Sequence, residues 1–170
     1  AAPVAKALLG KSAFPDDHPN CTGTVGHLGT EPSQRALMEC DTLLIVGSNF
    51  PYVEYYPKPG ETRAIQIDID GARIGLRHPV EVGLVGDARA TLEALLARIE
   101  PKRDRGFLEH IQQVKQAWDG EMKKRADIRE KPMKPQTIAR ALSERLSDDA
   151  IVIADSGTNT VWAARHIDMR

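Results

Sequence analysis

The sequence predicts an α/β domain built on a parallel, doubly wound sheet. Short continuous apolar runs recur along the chain, each stopped by Gly, Asp or Ser, as strands buried on both faces read. Between them the apolar period changes to that of a helix, so strands and helices alternate as in βαβ units. With 170 residues, 41% hydrophobic and 28% charged, the chain suffices for one core, or one domain and part of another.

Taken in order, Pro3–Leu9 is a candidate fifth strand beside four clearer ones, and Ser33–Cys40 reads as a helix. The first clear strand is Thr42–Val46, stopped by Gly47; Ala64–Ile69 and Val82–Val85 follow. Asp87 is a good N-cap for a helix whose Ala88, Leu92, Leu95, Leu96 and Ile99 share a face. Phe107, Ile111, Val114, Trp118 and Met122 mark a longer helix with charges on its other side. Charge and two prolines make Arg129–Pro135 an exposed connector. Beyond it Ile138, Ala141, Leu142 and Leu146 repeat the helical pattern, and Ala150–Ala154 reads as a strand. That strand has no return partner, so residues 1–130 are expected to form one domain and 131–170 a linker and the beginning of another.

Composition narrows the function. Lys and Arg number 23 against 24 Asp and Glu, a net charge of −1, which gives no reason to expect a nucleic-acid partner. Cys21 and Cys40 sit in no metal-binding spacing and read as reduced thiols. No basic-then-apolar leader opens the chain, and apolar runs such as Leu43–Val46 are far short of a membrane span; a soluble, cytoplasmic protein is expected. The five histidines are scattered, with neither an HExxH nor a GxSxG motif, so the residues name no reaction and no metal site.

Four places have the character of a ligand site. In Thr22–Thr30, Gly23, Gly26 and Gly29 recur every third residue, and bare backbone of this kind admits a ligand and offers N–H donors to an anion. A turn-rich loop before a helix explains the same glycines. Gly47-Ser48-Asn49-Phe50-Pro51-Tyr52 follows a buried strand, where open α/β sheets bind ligands. Asp68-Ile69-Asp70-Gly71 and Gly86-Asp87 end two further strands with side chains able to accept hydrogen bonds from hydroxyls; a turn role for Asp70 and a cap role for Asp87 stand equally open. Three polar strand ends together point to a nucleotide lying across them.

The motifs Leu9-Gly10-Lys11-Ser12-Ala13-Phe14-Pro15-Asp16-Asp17-His18-Pro19, Gly23-Thr24-Val25-Gly26, Asp41–Gly47, Phe50-Pro51-Tyr52, Ile65–Asp70 and Val85-Gly86-Asp87 resemble the central domain of thiamine-diphosphate-dependent enzymes. Similarity is greatest to the pyruvate oxidase and pyruvate:quinone dehydrogenase branch, with acetolactate synthase next. Asp155–Arg165 resembles the opening of the diphosphate-binding domain that follows the central one, and the connector near Arg129 matches the interdomain linker. The resemblance implies a three-layer, Rossmann-like parallel sheet with helices on both faces, here truncated at both ends and so exposing a sheet edge.

The same resemblance implies FAD along Gly23, Thr24, Val25 and Gly26, then Gly47, Ser48, Asn49, Phe50 and Pro51, then Asp68, Ile69, Asp70, Gly71, Ala72 and Arg73, with Asp87 near the adenosine end. Gly157 and Thr158 match residues beside thiamine diphosphate. The glutamate that activates the aminopyrimidine and the Mg²⁺-binding motif belong to parts of the family's subunit outside this sequence. No catalytic residue and no metal ligand is therefore assigned here, and the fragment is expected to be inactive alone. In the whole enzyme the resemblance implies decarboxylation of a small 2-oxo acid, pyruvate foremost, with electrons passing to FAD. It also implies a homotetramer, and peripheral membrane contact only through a C-terminal tail outside this sequence. The rival expectations are an acetolactate synthase-like carboligase with a non-redox FAD, and a nucleotide-free assembly domain.

Overall fold

The computed structural model describes residues 2–127, 129 and 131–170. The expected domain boundary at residue 130 falls outside the described residues. The architecture is α/β with parallel strands, and the chain divides into two compact units, 37–104 and 2–36 with 105–170.

In unit 37–104, β3 (Thr42–Val46), β4 (Arg63–Asp68) and β5 (Val82–Val85) form a parallel sheet in that order. Register runs from Thr42↔Arg63 to Val46↔Ile67 and from Ile65↔Val82 to Asp68↔Val85. Because all three strands run the same way, their carboxyl ends, and the turns beginning at Gly47, Ile69 and Gly86, share one edge of the sheet. β4 alone has a neighbour on each side, and Ala64, Gln66, Ile67 and Asp68 on it are buried. Phe50 and Tyr56 extend this core beyond β3.

Two expectations for this unit are corrected. β5 reads as a strand buried on both faces, yet all four of its residues are exposed, because within this unit it is an edge strand. α2 (Ala88–Leu96) starts at its Asp87 cap as expected, but none of its residues is buried, and Leu96 and Ile99 lie open to solvent. An amphipathic stripe names the face that will be buried once a surface meets it. Within this unit α2 touches β4 without covering that stripe.

In the other unit, β1 (Val4–Lys6) pairs in parallel with β2 (Cys21–Thr24), confirming the strand inside Pro3–Leu9. The division between units falls within α1 (Glu31–Glu39). Thr30 caps α1, accepting from the Ser33 N–H at 3.3 Å while its hydroxyl donates to Thr22 O at 2.6 Å. α3 (Gly106–Arg125) buries Leu108, Ile111 and Met122 and keeps its charges outward, as its period requires.

α4 (Pro135–Ser143) and α5 (Thr158–His166) pack together, but α4 buries the face opposite to the one its apolar stripe predicts. Thr137, Ala139 and Ser143 are buried, whereas Ile138 is 61% and Leu142 47% exposed. Small residues explain the choice: Ala139 and Ser143 on α4, with Ala164 on α5, let two helices approach closely, and Ser143 Oγ accepts from the Asp168 N–H at 2.9 Å. Ala150–Ala154 forms no strand, a second correction in this unit. A ladder needs a neighbour; none pairs with it among the described residues, and Ile151 and Ile153 are 90% and 91% exposed.

Candidate functional site

The site is built first at the carboxyl edge of β3–β4–β5. Gly47 leaves β3 with φ +56°, a left-handed conformation that favours glycine, and a Cβ there would meet nothing within 4 Å, so the space above this turn is open. Its N–H is held by Ile67 O at 2.9 Å, which ties the first turn to the middle strand. Gly86 N–H donates to Asp68 O at 2.9 Å in the same way from the other side.

Asp68 lies between these turns and is 3% exposed. Its Oδ1 accepts from the Asp70 N–H at 3.0 Å, while Oδ2 is buried with no hydrogen-bond partner among the described residues. A buried carboxylate oxygen without a donor is costly to maintain, so this atom is chemically suited to a hydroxyl or N–H brought by a ligand. Asp70 is engaged locally: Oδ1 accepts from the Ala72 N–H at 3.0 Å and Oδ2 lies 3.4 Å from Arg73 Nε. Asp87 likewise accepts from the Ala90 N–H at 2.9 Å. Ile69, Asp70, Gly71, Ala72 and Arg73 form an exposed rim around the buried Asp68.

Two residues that shape this edge escape a reading of sequence pattern. Gln66, buried in β4, donates from Nε2 to Arg73 O at 3.1 Å and accepts the Gly75 N–H on Oε1 at 2.9 Å, holding the 70–75 loop to the strand. The signal available for it is an amide inside an otherwise apolar run. Arg77 Nε donates to Asn49 Oδ1 at 2.9 Å and joins the two loops, with no signal beyond a lone arginine. Phe50 is not a rim residue but an anchor: it is buried, its ring meets Tyr52 and Tyr56 at centroid distances of 5.4 and 5.8 Å, and its carbonyl accepts from Tyr56 Oη at 3.4 Å. Burial pushes the Tyr56 phenol up, outweighing Arg77, which keeps it protonated as that donor. Ser48 and Pro51 occupy the turn between Gly47 and this cluster.

Gly23, Thr24, Val25 and Gly26 belong to the other unit. Gly23 has φ +104°, and a Cβ would lie 2.7 Å from the Thr30 Cγ2. The turn folds on itself through Thr30 N–H to Thr24 O at 2.9 Å, Gly29 N–H to Gly26 O at 2.7 Å and Thr24 Oγ1 to Leu28 O at 3.1 Å. Val25 N–H donates to Lys6 O at 2.9 Å. The glycines at 23 and 29 thus serve close packing within the turn. In the same unit Gly157, φ +112°, is the N-cap of α5 and provides no side-chain cap. It and Thr158 are exposed, so the first N–H groups of α5 are available to an anion. That suits the diphosphate of a thiamine cofactor, as the Asp68 edge suits the hydroxyls of a dinucleotide.

Among the described residues no helix is long and apolar enough to cross a membrane. Residues 1–95 match the family model for the thiamine pyrophosphate enzyme central domain. Over 169 residues, 99% of this chain, the sequence is 43% identical to the thiamine pyrophosphate-containing protein YdaP of Bacillus subtilis, covering 29% of that protein. It is 29% identical to pyruvate oxidase of Lactiplantibacillus plantarum, covering 98% of this chain and 28% of that one. It is 30% identical to the acetolactate synthase large subunit of Parasynechococcus marenigrum, covering 97% and 27%. The chain thus spans less than a third of the length of these relatives. A parallel α/β sheet with polar carboxyl-end turns and a family match over more than half the chain lead to one assignment: the chain belongs to the thiamine pyrophosphate enzyme family and carries its central domain.

Proposed function

We propose that residues 1–130 are the FAD-holding central domain of a thiamine-diphosphate-dependent enzyme acting on a 2-oxo acid, with pyruvate the foremost candidate. Residues 131–170 are then the linker and the beginning of the diphosphate-binding domain. The observation that carries the FAD assignment is Asp68, whose buried Oδ2 lacks a donor at the end of the middle strand, between the turns at Gly47 and Gly86. The similarity to a pyruvate oxidase supports the substrate class.

When bound, thiamine diphosphate would supply the carbanion-stabilising chemistry of decarboxylation and FAD a two-electron acceptor. The chain's own residues bind and orient. Asp68 accepts from a ligand hydroxyl; Gln66 and Arg77 fix the loops that flank it; Gly157 and Thr158 offer backbone N–H groups to a diphosphate. Mg²⁺ would be held by residues outside this sequence, and no side chain here carries out proton transfer. The whole protein is read as a homo-oligomer.

Similarity to an acetolactate synthase favours a second reading, a carboligase in which FAD is not reduced. Anaerobic addition of pyruvate to the full-length protein separates the two. Bleaching of the flavin bands supports the oxidase reading; acetolactate formation with the flavin still oxidised supports the carboligase. Neither bleaching nor acetolactate would remove pyruvate as the substrate.

A further inference from the structure

A cavity of about 550 Å³ lies in unit 2–36/105–170, between α3, the carboxyl ends of α4 and α5, and the 16–19 loop. Its volume is that of a small-molecule site, and the strand-end site above does not use it. Most charges on its wall are matched. Lys115 pairs with Asp119 at 2.6 Å, Arg140 with Asp168 at 3.2 Å and with Glu144 at 3.0 Å, and Asp16 with two lysines.

Arg165 is the most buried exception. Among the described residues its Nε and Nη2 reach only the carbonyls of Leu28 and His27, at 3.4 and 3.3 Å, and no carboxylate lies within ion-pair distance. Burial and the nearby Arg125 both act against its charge. A half-buried guanidinium without an anion is an expensive arrangement. Beside it His166 also lines the cavity; it is 4% exposed, and its ring nitrogens make no hydrogen bond among the described residues. Burial, then Arg165 and Arg140, push this ring down toward its neutral form, which has one N–H to donate. Trp118 and Met122 supply an apolar wall; among the described residues Lys123 adds a second cation with no carboxylate partner, and the exposed Asp17 is an acid with no cation partner.

We propose that this cavity binds a small organic anion, a carboxylate or phosphate on an apolar body, with Arg165 and His166 holding the anionic group and Trp118 and Met122 packing the body. Arg165 is seven residues beyond Thr158, roughly 10 Å along α5 at about 1.5 Å per residue, so this is not the diphosphate-binding end of the helix. The oxyanion would give Arg165 its missing counter-charge and His166 its missing acceptor. Their coincidence on one wall is what the packing of α5 alone does not explain.

The test is calorimetric titration of the full-length protein with benzoate and, separately, phenyl phosphate, each against an equal ionic strength of chloride. Saturable binding of either probe is expected, benzoate alone marking a carboxylate site and phenyl phosphate alone a phosphate site. Arg165→Gln should weaken it about tenfold or more, as loss of a charge-assisted contact does. His166→Phe, which keeps the Arg165 contacts to the 27–28 carbonyls, should weaken it several-fold and keeps the test alive if Arg165→Gln fails to fold. Absence of saturation by both probes up to about 10 mM, a range that would detect millimolar binding, overturns the proposal. So does binding that both variants leave unchanged.

Discussion

Asp16 and Met169, far apart in sequence, exchange two hydrogen bonds: Asp16 N–H donates to Met169 O at 2.8 Å, and Met169 N–H to Asp16 Oδ2 at 2.9 Å. The same carboxylate takes the ammonium groups of Lys6 and Lys11, each at 2.8 Å, so one residue of the Lys11–Pro19 motif ties β1 to the segment after α5. Asp16→Asn leaves Lys6, whose side chain is 3% exposed, buried without a carboxylate. We expect a loss of about 3 kcal/mol, read as a lower chemical-denaturation midpoint; an unchanged midpoint would show the clamp to be idle.

The same group sets an acid limit. Burial raises the Asp16 carboxyl, but hydrogen bonds from Lys11, Lys6 and the Met169 N–H outweigh it and hold the group below its ordinary value. A depressed folded value contributes stability above the unfolded value of about 3.9, and that contribution is lost as pH falls through the folded value. Denaturation midpoints measured from pH 6 down should therefore fall below about pH 4, with a shallower fall in Asp16→Asn.

The glycines make separable predictions. Gly23→Ala adds a Cβ 2.7 Å from Thr30 at φ +104°, whereas Gly47→Ala adds one into open space at φ +56°. The first should cost about 2–3 kcal/mol and the second about 1 kcal/mol. Thermal melts that rank them in the opposite order would contradict the packing described for the turn at 22–30.

Gln66 tests the loop that rims Asp68. Gln66→Leu removes both bonds to the 73–75 backbone while keeping the strand apolar. Flavin affinity should fall severalfold, in a titration of the full-length protein, with the fold retained by circular dichroism.

The reversed face of α4 gives a further pair of variants. In the 170-residue chain Ala139→Leu should cost about 1–3 kcal/mol by overpacking against α5, while Ile138→Ala, on the exposed face, stays within about 0.5 kcal/mol. If Ile138→Ala were the costlier change, the outward apolar stripe would be wrong.

These outcomes mark where pattern reading succeeds. Strands β3, β4 and β5, the Asp87 cap and the inward face of α3 follow from local period and capping chemistry, which need no knowledge of neighbours. The face of α4, the exposure of β5 and the unpaired 150–154 segment depend on what lies opposite, and periodicity carries no such information. In the same way Gly47 and Asp68 were legible as strand-end residues. Gln66 and Arg77 were not, because their roles rest on side-chain hydrogen bonds to separate loops, Gln66 to the backbone of Arg73 and Gly75 and Arg77 to Asn49.

The role proposed for this domain is to hold FAD. Its most direct test is the flavin content of the purified full-length protein, followed by titration of FAD into the stripped protein. Flavin absorbance at one FAD per chain and saturable rebinding that Asp68→Ala weakens are expected. A colourless protein that binds no added FAD, although folded, would contradict it.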